Sequence, residues 1–219
     1  MPPIQTIKTK DGSVSLWNSE LDETYHSRHG AWNEAIHVFV ESGFKQLSGR
    51  KEIKVLEVGF GTGLNCYLTA LAHDADQRIF YCGLEAYPLG REFLCELNYA
   101  DREGGERGLL EDIYLSDWEL ELEIRPNFLL KKVEEKLETF KPGEKFDLVY
   151  FDAFGPRAQP EMWEKSVFEK LYGLMSSQGV FVTYCAKGQV RRDLGSCGFD
   201  VERLEGPPGK RHMLRGIKP

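Results

Sequence analysis

The sequence predicts an α/β protein built on an open, mostly parallel sheet. Three observations carry this. From residue 53 onward, short β-rich apolar segments alternate with helical ones, the pattern of right-handed βαβ crossovers. The first of these strands, IKVLEVGF, runs straight into a glycine turn, GFGTG, at the mouth of a helix. The last two strands, DVERLE and HMLRGIK, are joined only by GPPGKR. That link is too short for a crossover helix, so the pair is antiparallel.

The elements follow in order. Residues 1–20 predict a hairpin turning at Lys10–Asp11–Gly12. Residues 30–44 predict a helix with Trp32, Ala35, Ile36, Phe39 and Val40 on one face. After the glycine turn come a helix (LNCYLTALAHDA), a strand (RIFYCGLEA) and a helix with Pro88 near its first turn (PLGREFLCELNYA). Residues 101–118 form an insertion with one helix behind a Gly-rich lead. LELEIR is expected as the third parallel strand and FLLKKVEEKLETF as its helix. FDLVYFDAF, PEMWEKSVFEKLYGLM, GVFVTYCAK and GQVRRDLGSCG continue as strand, helix, strand and short helix. The expected organisation is one domain over 1–219. An extension of residues 1–50 packs on the active-site side of a core of residues 51–219.

Composition narrows the class. Hydrophobic residues make up 41%, and no apolar run approaches the roughly 20 residues that span a membrane. The N-terminus, MPPIQTIKTKDG, has no apolar core of a signal peptide, so a cytoplasmic location is expected. Five cysteines without a CxxC pair predict reduced thiols and no metal centre. The net charge of −7 disfavours broad nucleic-acid binding. Yet the C-terminal stretch holds Lys187, Arg191, Arg192, Arg203, Lys210, Arg211, Arg215 and Lys218 against Asp193, Asp200, Glu202 and Glu205, so a local basic face is expected.

Ligands of such sheets sit at the carboxyl ends of the strands. Gly59, Gly61 and Gly63, around Phe60, let the backbone approach a ligand, and the helix that follows opens with Asn65. The spacing is G-x-G-x-G. Leu64 stands where a dinucleotide fingerprint has its third glycine, which counts against a nicotinamide cofactor. Glu57, two residues ahead of the turn, suits the ammonium of S-adenosylmethionine. Glu85, closing the next strand, suits the ribose hydroxyls. Asn127 and Phe128 are expected at the adenine, one bonding and one stacking. Asp152 ends a buried strand, where a charge is costly unless used. Phe154 and Pro156 follow it in a rigid loop.

GFGTGLN, the Glu85 strand followed by YPL, DAFGPRAQPEMW, KGQVRRDLGSCGF and PPGKRHML stand in this order. Together they resemble the tRNA wobble-uridine methyltransferase family, that of MnmD and of the methyltransferase half of bifunctional MnmC. LDETYHSRHGAWNEAIHVFVESG resembles the family's N-terminal segment, and the likeness covers residues 4–217. It implies the Rossmann-like sheet of class I S-adenosylmethionine-dependent methyltransferases. It also implies methyl transfer to the amine of 5-aminomethyl-2-thiouridine in the tRNA anticodon loop. A separate enzyme would make that aminomethyl group. The flavin-dependent domain of the bifunctional relatives is expected to be absent.

Within this resemblance Asp152 either takes the amine proton or binds the cofactor ammonium. Tyr25 and His26 close the pocket, and Phe154 or Trp163 stacks on the extruded base. Lys187, Arg191, Arg192, Lys210 and Arg211 hold phosphates. Rival readings are a methyltransferase or aminopropyltransferase for a small amine, and a non-catalytic scaffold that binds cofactor or RNA.

Overall fold

The computed structural model describes residues 4–219. Residues 1–3 of the expected hairpin lie outside that range. The hairpin itself pairs β1 (Ile4–Lys8) with β2 (Val14–Asn18), and β3 (Glu23–Thr24) adds a third antiparallel strand. Its turn is stabilised by Asp11, whose Oδ1 accepts from Thr9 Oγ1, Ser13 N and Ser13 Oγ. The first helix, α1 (Ala31–Ala35), continues as a wider π turn over Ile36–Glu41.

The main sheet has eight strands in the order β10–β11–β9–β8–β4–β5–β7–β6. They are β4 (Glu52–Val58), β5 (Arg78–Glu85), β6 (Glu121–Arg125), β7 (Phe128–Glu134), β8 (Phe146–Phe151), β9 (Met175–Thr183), β10 (Asp200–Glu205) and β11 (His212–Ile217). β7, β5, β4, β8 and β9 are parallel neighbours. β10 pairs β11 antiparallel, and β11 pairs β9 antiparallel, as the short GPPGKR link requires. Helices α2 (Leu64–Ala72), α3 (Arg91–Leu94), α4 (Arg107–Leu115), α5 (Lys165–Leu174) and α6 (Gly188–Ser196) complete the chain. Among the described residues no helix is long and apolar enough to cross a membrane.

Strand alternation sorts the two faces. On β4 and β8, Val55, Leu148 and Tyr150 enter one apolar cluster, together with Trp32, Val38, Phe39 and Tyr67. Leu56, Val58, Val149 and Phe151 enter the other, with Phe168 and Phe181. Glu57 and Asp152 fall in phase with the first set. Both acids therefore face α2 and the N-terminal helix.

Two expectations fail here. LELEIR is an antiparallel edge strand, β6, and FLLKKVEEKLETF is the third parallel strand, β7, not a helix. Phe128, Leu130, Val133, Leu137 and Phe140 are all buried and mimic a helical stripe. The strand alternation is masked because Lys132 fills a buried position. Its Nζ donates to the Ile113 carbonyl at 2.9 Å and lies 5.2 Å from the Trp118 ring centre. The second failure is the helix expected over 88–100, which shrinks to the single turn α3 and a 3-10 turn at Tyr99–Asp101. Asn98 is held by the N-terminal hairpin, accepting from Val14 N and donating to Gly12 O, and Arg102 donates to Asp11 O. The chain there is tied outward and does not continue a helix.

Candidate active site

The carboxyl ends of β4, β5, β7, β8 and β9 open on a cavity of about 840 Å³. The N-terminal segment roofs it with Asn18, Glu23, Thr24, Tyr25 and His26. A pocket of this size accommodates a cofactor together with the reacting end of a substrate.

The glycine turn forms one wall. Gly59, Gly61 and Gly63 have φ of 88°, 51° and 72°, all in the region that favours glycine. A Cβ on Gly59 would also lie 2.7 Å from the Asp152 carbonyl oxygen. Phe60 is buried, its ring lying where a Cβ on Gly83 would be, so it props the turn from behind. Glu85 caps the turn. One of its oxygens accepts Gly61 N–H at 3.0 Å and the other accepts Tyr87 N–H at 3.0 Å. Burial pushes its carboxyl above the ordinary range against these bonds.

Glu57 does not reach the cavity. It is fully buried, and its oxygens accept from Tyr81 OH and Asn65 Nδ2, each at 2.8 Å. Burial, with Asp152 and Glu85 nearby, pushes its carboxyl well up. The expectation of a direct ammonium contact is corrected: Tyr81 from the neighbouring strand takes up the oxygen left over by Asn65. Glu57 orients Asn65 instead. Asn65 spends both amide protons, on Glu57 and on Asp152 Oδ2 at 2.8 Å, and its own Oδ1 is buried without a partner.

Asp152 stands at the end of β8, on the cavity wall. Burial raises its carboxyl to about 7. Asn65 and Lys210 work against that rise, and Glu34 adds to it. The loop behind it is rigid. Trp163 Nε1 donates to Phe154 O at 2.7 Å, Gln159 Oε1 accepts Phe154 N–H, and Tyr184 OH donates to Ala153 O at 2.9 Å. Trp163 is buried behind the loop and Pro156 lies off the cavity wall, whereas Phe154 lines it. Phe154 meets Tyr25 edge to face, with ring centres 4.9 Å apart. His26 bonds Ser15 Oγ at 2.8 Å and approaches Thr62 Oγ1 at 3.4 Å, and burial lowers it to about 4. It is a neutral tie between the N-terminal sheet and the glycine turn.

Two sets of predicted contacts lie elsewhere. Asn127 sits in the β6–β7 turn with φ 64°, and its amide donates to Ala75 O; Phe128 is fully buried at the start of β7. β7 runs parallel to β5, so both lie at the end of the sheet away from the cavity. The expected adenine contact does not form here, because the third parallel strand is β7, which Asn127 precedes and Phe128 opens. The carboxyl end of β7 brings Glu135, Lys136 and Leu137 to the cavity instead. Lys210 is also displaced from its expected role. Its Nζ pairs with Glu34 Oε2 at 2.5 Å and lies 3.9 Å from the centre of the Tyr184 ring, inside the cavity wall. Lys187, Arg191, Arg192 and Arg211 are exposed.

Glu34 and Tyr184 went unnoticed in the sequence. Tyr184 follows the fifth parallel strand and was findable by that position. Glu34 sits inside an apolar helix face and carried no such signal.

A family model for S-adenosyl-L-methionine-dependent methyltransferases matches residues 110–219. The chain belongs to this family. Its relatives include the tRNA 5-methylaminomethyl-2-thiouridine biosynthesis bifunctional protein MnmC of Cupriavidus metallidurans, 31% identical over 97% of this chain and 34% of that protein. MnmC of Hydrogenovibrio crunogenus is 29% identical over 90% of this chain and 31% of that protein. The methyltransferase thus spans about a third of the length of these curated relatives. Among solved structures, MNMC2 from Aquifex aeolicus superposes with a TM-score of 0.77 at 24% identity, covering 99% of this chain and 72% of that one. Spermidine synthase from Thermotoga maritima gives 0.62 at 14% identity, covering 98% and 68%. Both share the fold.

The residues present fit the family's cofactor, S-adenosyl-L-methionine. The glycine turn leaves the room that a Cβ would fill. Asn65 Oδ1 is a buried acceptor in want of a donor, which an ammonium supplies.

Proposed function

We propose that this methyltransferase converts the 5-aminomethyl group of wobble 2-thiouridine in tRNA to 5-methylaminomethyl. The observation that carries the reading is Asp152, a cavity carboxyl held near 7 on a rigid loop. The MnmC relatives point to the same chemistry by name.

Asn65, Glu85 and the Gly59–Gly63 turn would hold the cofactor, with Glu135–Leu137 on the adenine side. When bound, the cofactor supplies an electrophilic sulfonium methyl. An alkyl ammonium has no lone pair to offer, so the site must first take its proton. Asp152 accepts that proton and keeps the amine oriented, since a carboxyl near neutrality is matched to the task. Tyr25 and Phe154 close the cavity above it and exclude water. Arg191, Arg192, Lys187 and Arg211 contact tRNA phosphates. The N-terminal segment serves as the roof of the substrate side.

The test is nucleoside analysis of tRNA carrying 5-aminomethyl-2-thiouridine after incubation with protein and labelled cofactor. Label in 5-methylaminomethyl-2-thiouridine is expected. Cofactor binding with no labelled nucleoside would reject the reading.

A further inference from the structure

Glu34 and Lys210 come from the two parts of the chain that lie outside the parallel strands. Glu34 is on α1, and Lys210 is in the turn between β10 and β11. The Glu34 side chain is 9% exposed; one oxygen accepts Ser27 N–H at 3.1 Å and the other meets Lys210 Nζ at 2.5 Å. The Lys210 turn is closed by its own N–H to Pro207 O and by Gly206 N–H to Arg211 O. Lys210 lies over Tyr184, and Tyr184 is fastened to the carbonyl of Ala153, the residue after Asp152. The Lys210 side chain keeps 31% of its surface exposed, so the pair is only partly buried and is weak evidence for stability alone. Here both residues line the cavity that also holds Asp152, the carboxyl to which proton transfer is assigned.

We propose that the Glu34–Lys210 ion pair positions and tunes the Asp152 carboxylate for proton transfer from the substrate amine. This rests on the reading of the cavity as an amine-methylating site. The groups around Asp152 are Asn65 from α2, with Glu57 of β4 behind it, Glu34 from α1, Lys210 from the turn and Tyr184 after β9. Glu23 of β3 acts on Tyr184, and Glu85 acts on Glu57. Of these, Glu34 and Lys210 act on Asp152 with opposite sign. Lys210 favours the carboxylate and Glu34 disfavours it. The pair holds the two effects in balance.

The test compares the parent with Lys210→Met, Glu34→Gln, the double variant and Lys210→Arg. Single-turnover methylation is followed from about pH 5 to pH 9, where the acidic limb reports the proton acceptor. In parallel, infrared titration of the RNA-free protein reads the Asp152 carboxyl, with Asp152→Asn as blank. Lys210→Met should move limb and carboxyl titration up by about one pH unit, and Glu34→Gln should move both down by about as much. The double variant should return near the parent, and Lys210→Arg should match it. Lower rates with an unmoved limb and titration, or shifts of both single variants in one direction, overturn the proposal. If the parent fails to methylate the tRNA, the proposed function falls, and the infrared titration still decides the role of the pair. If Lys210→Met does not fold, the sign of the Glu34→Gln titration decides it.

Discussion

The side-chain amide of Asn65 lies 2.8 Å from Oδ2 of Asp152, and this bond joins the start of α2, beside the glycine turn, to the carboxyl proposed as proton acceptor. The same nitrogen also serves Glu57. One residue on the first turn of α2 therefore bridges two acids carried by two strands. Its unpaired Oδ1 is the feature that a cofactor ammonium would complete.

Asn65→Ala should weaken cofactor binding by about tenfold or more, measured by calorimetry, because it removes that acceptor. It should also cost about 1–3 kcal/mol in urea unfolding, since Glu57 and Asp152 each lose a buried donor. Cofactor affinity equal to the parent's would contradict the assignment of Asn65.

Asp152→Asn should leave the fold intact and slow single-turnover methylation by about 10²–10⁴-fold, the usual worth of a positioned acid or base. A near-parental rate would falsify the role of Asp152 as proton acceptor.

The pH dependence has a defined sign. In the parent the methylation rate should rise as pH passes through about 7, where Asp152 gives up its proton. Its folded value lies above the ordinary 3.8, so the folded state holds this proton when the unfolded chain has lost it. The stability it contributes is present at acid pH and is lost as pH rises through about 7. Urea midpoints of Asp152→Asn should fall less than the parent's between about pH 5 and pH 8. Parallel curves for the two proteins would count against the raised value.

Gly83→Ala tests the support behind the glycine turn. A Cβ there would stand 2.1 Å from the Phe60 ring, so Phe60 must move and the turn with it. Overpacking of this kind costs about 1–3 kcal/mol, and cofactor affinity should drop although Gly83 is no part of the turn. Gly49→Ala meets nothing within 4 Å and is the control. Unchanged affinity in Gly83→Ala would show that Phe60 does not set the turn.

Arg191→Ala with Arg211→Ala should weaken tRNA binding, lower its salt dependence and leave cofactor affinity unchanged. Lys210 is left out because it belongs to the cavity. Gel-shift titrations at several salt concentrations read the slope; a slope equal to the parent's would remove these residues from the RNA interface.

Local patterns were enough for part of this molecule. Three glycines at alternate positions after an apolar run require a turn with positive φ, and the turn is there. The short GPPGKR link forces an antiparallel pair, and β10–β11 is that pair. Asp152 was marked by the cost of placing a charge at the end of a buried strand. These are properties of neighbours in the chain, so the amino-acid sequence by itself determined them. The tertiary structure decided the rest. β7 was misread because Lys132 is buried, which is affordable only once Ile113 and Trp118 stand beside it. Glu57 lost its expected contact because Tyr81, on another strand, arrives at its free oxygen. Glu34 and Lys210 are 176 residues apart and became one ion pair only when both ends of the chain closed over the sheet. A carboxylate's role depends on what stands within a few ångströms of it, and for these residues the neighbours come from distant parts of the chain.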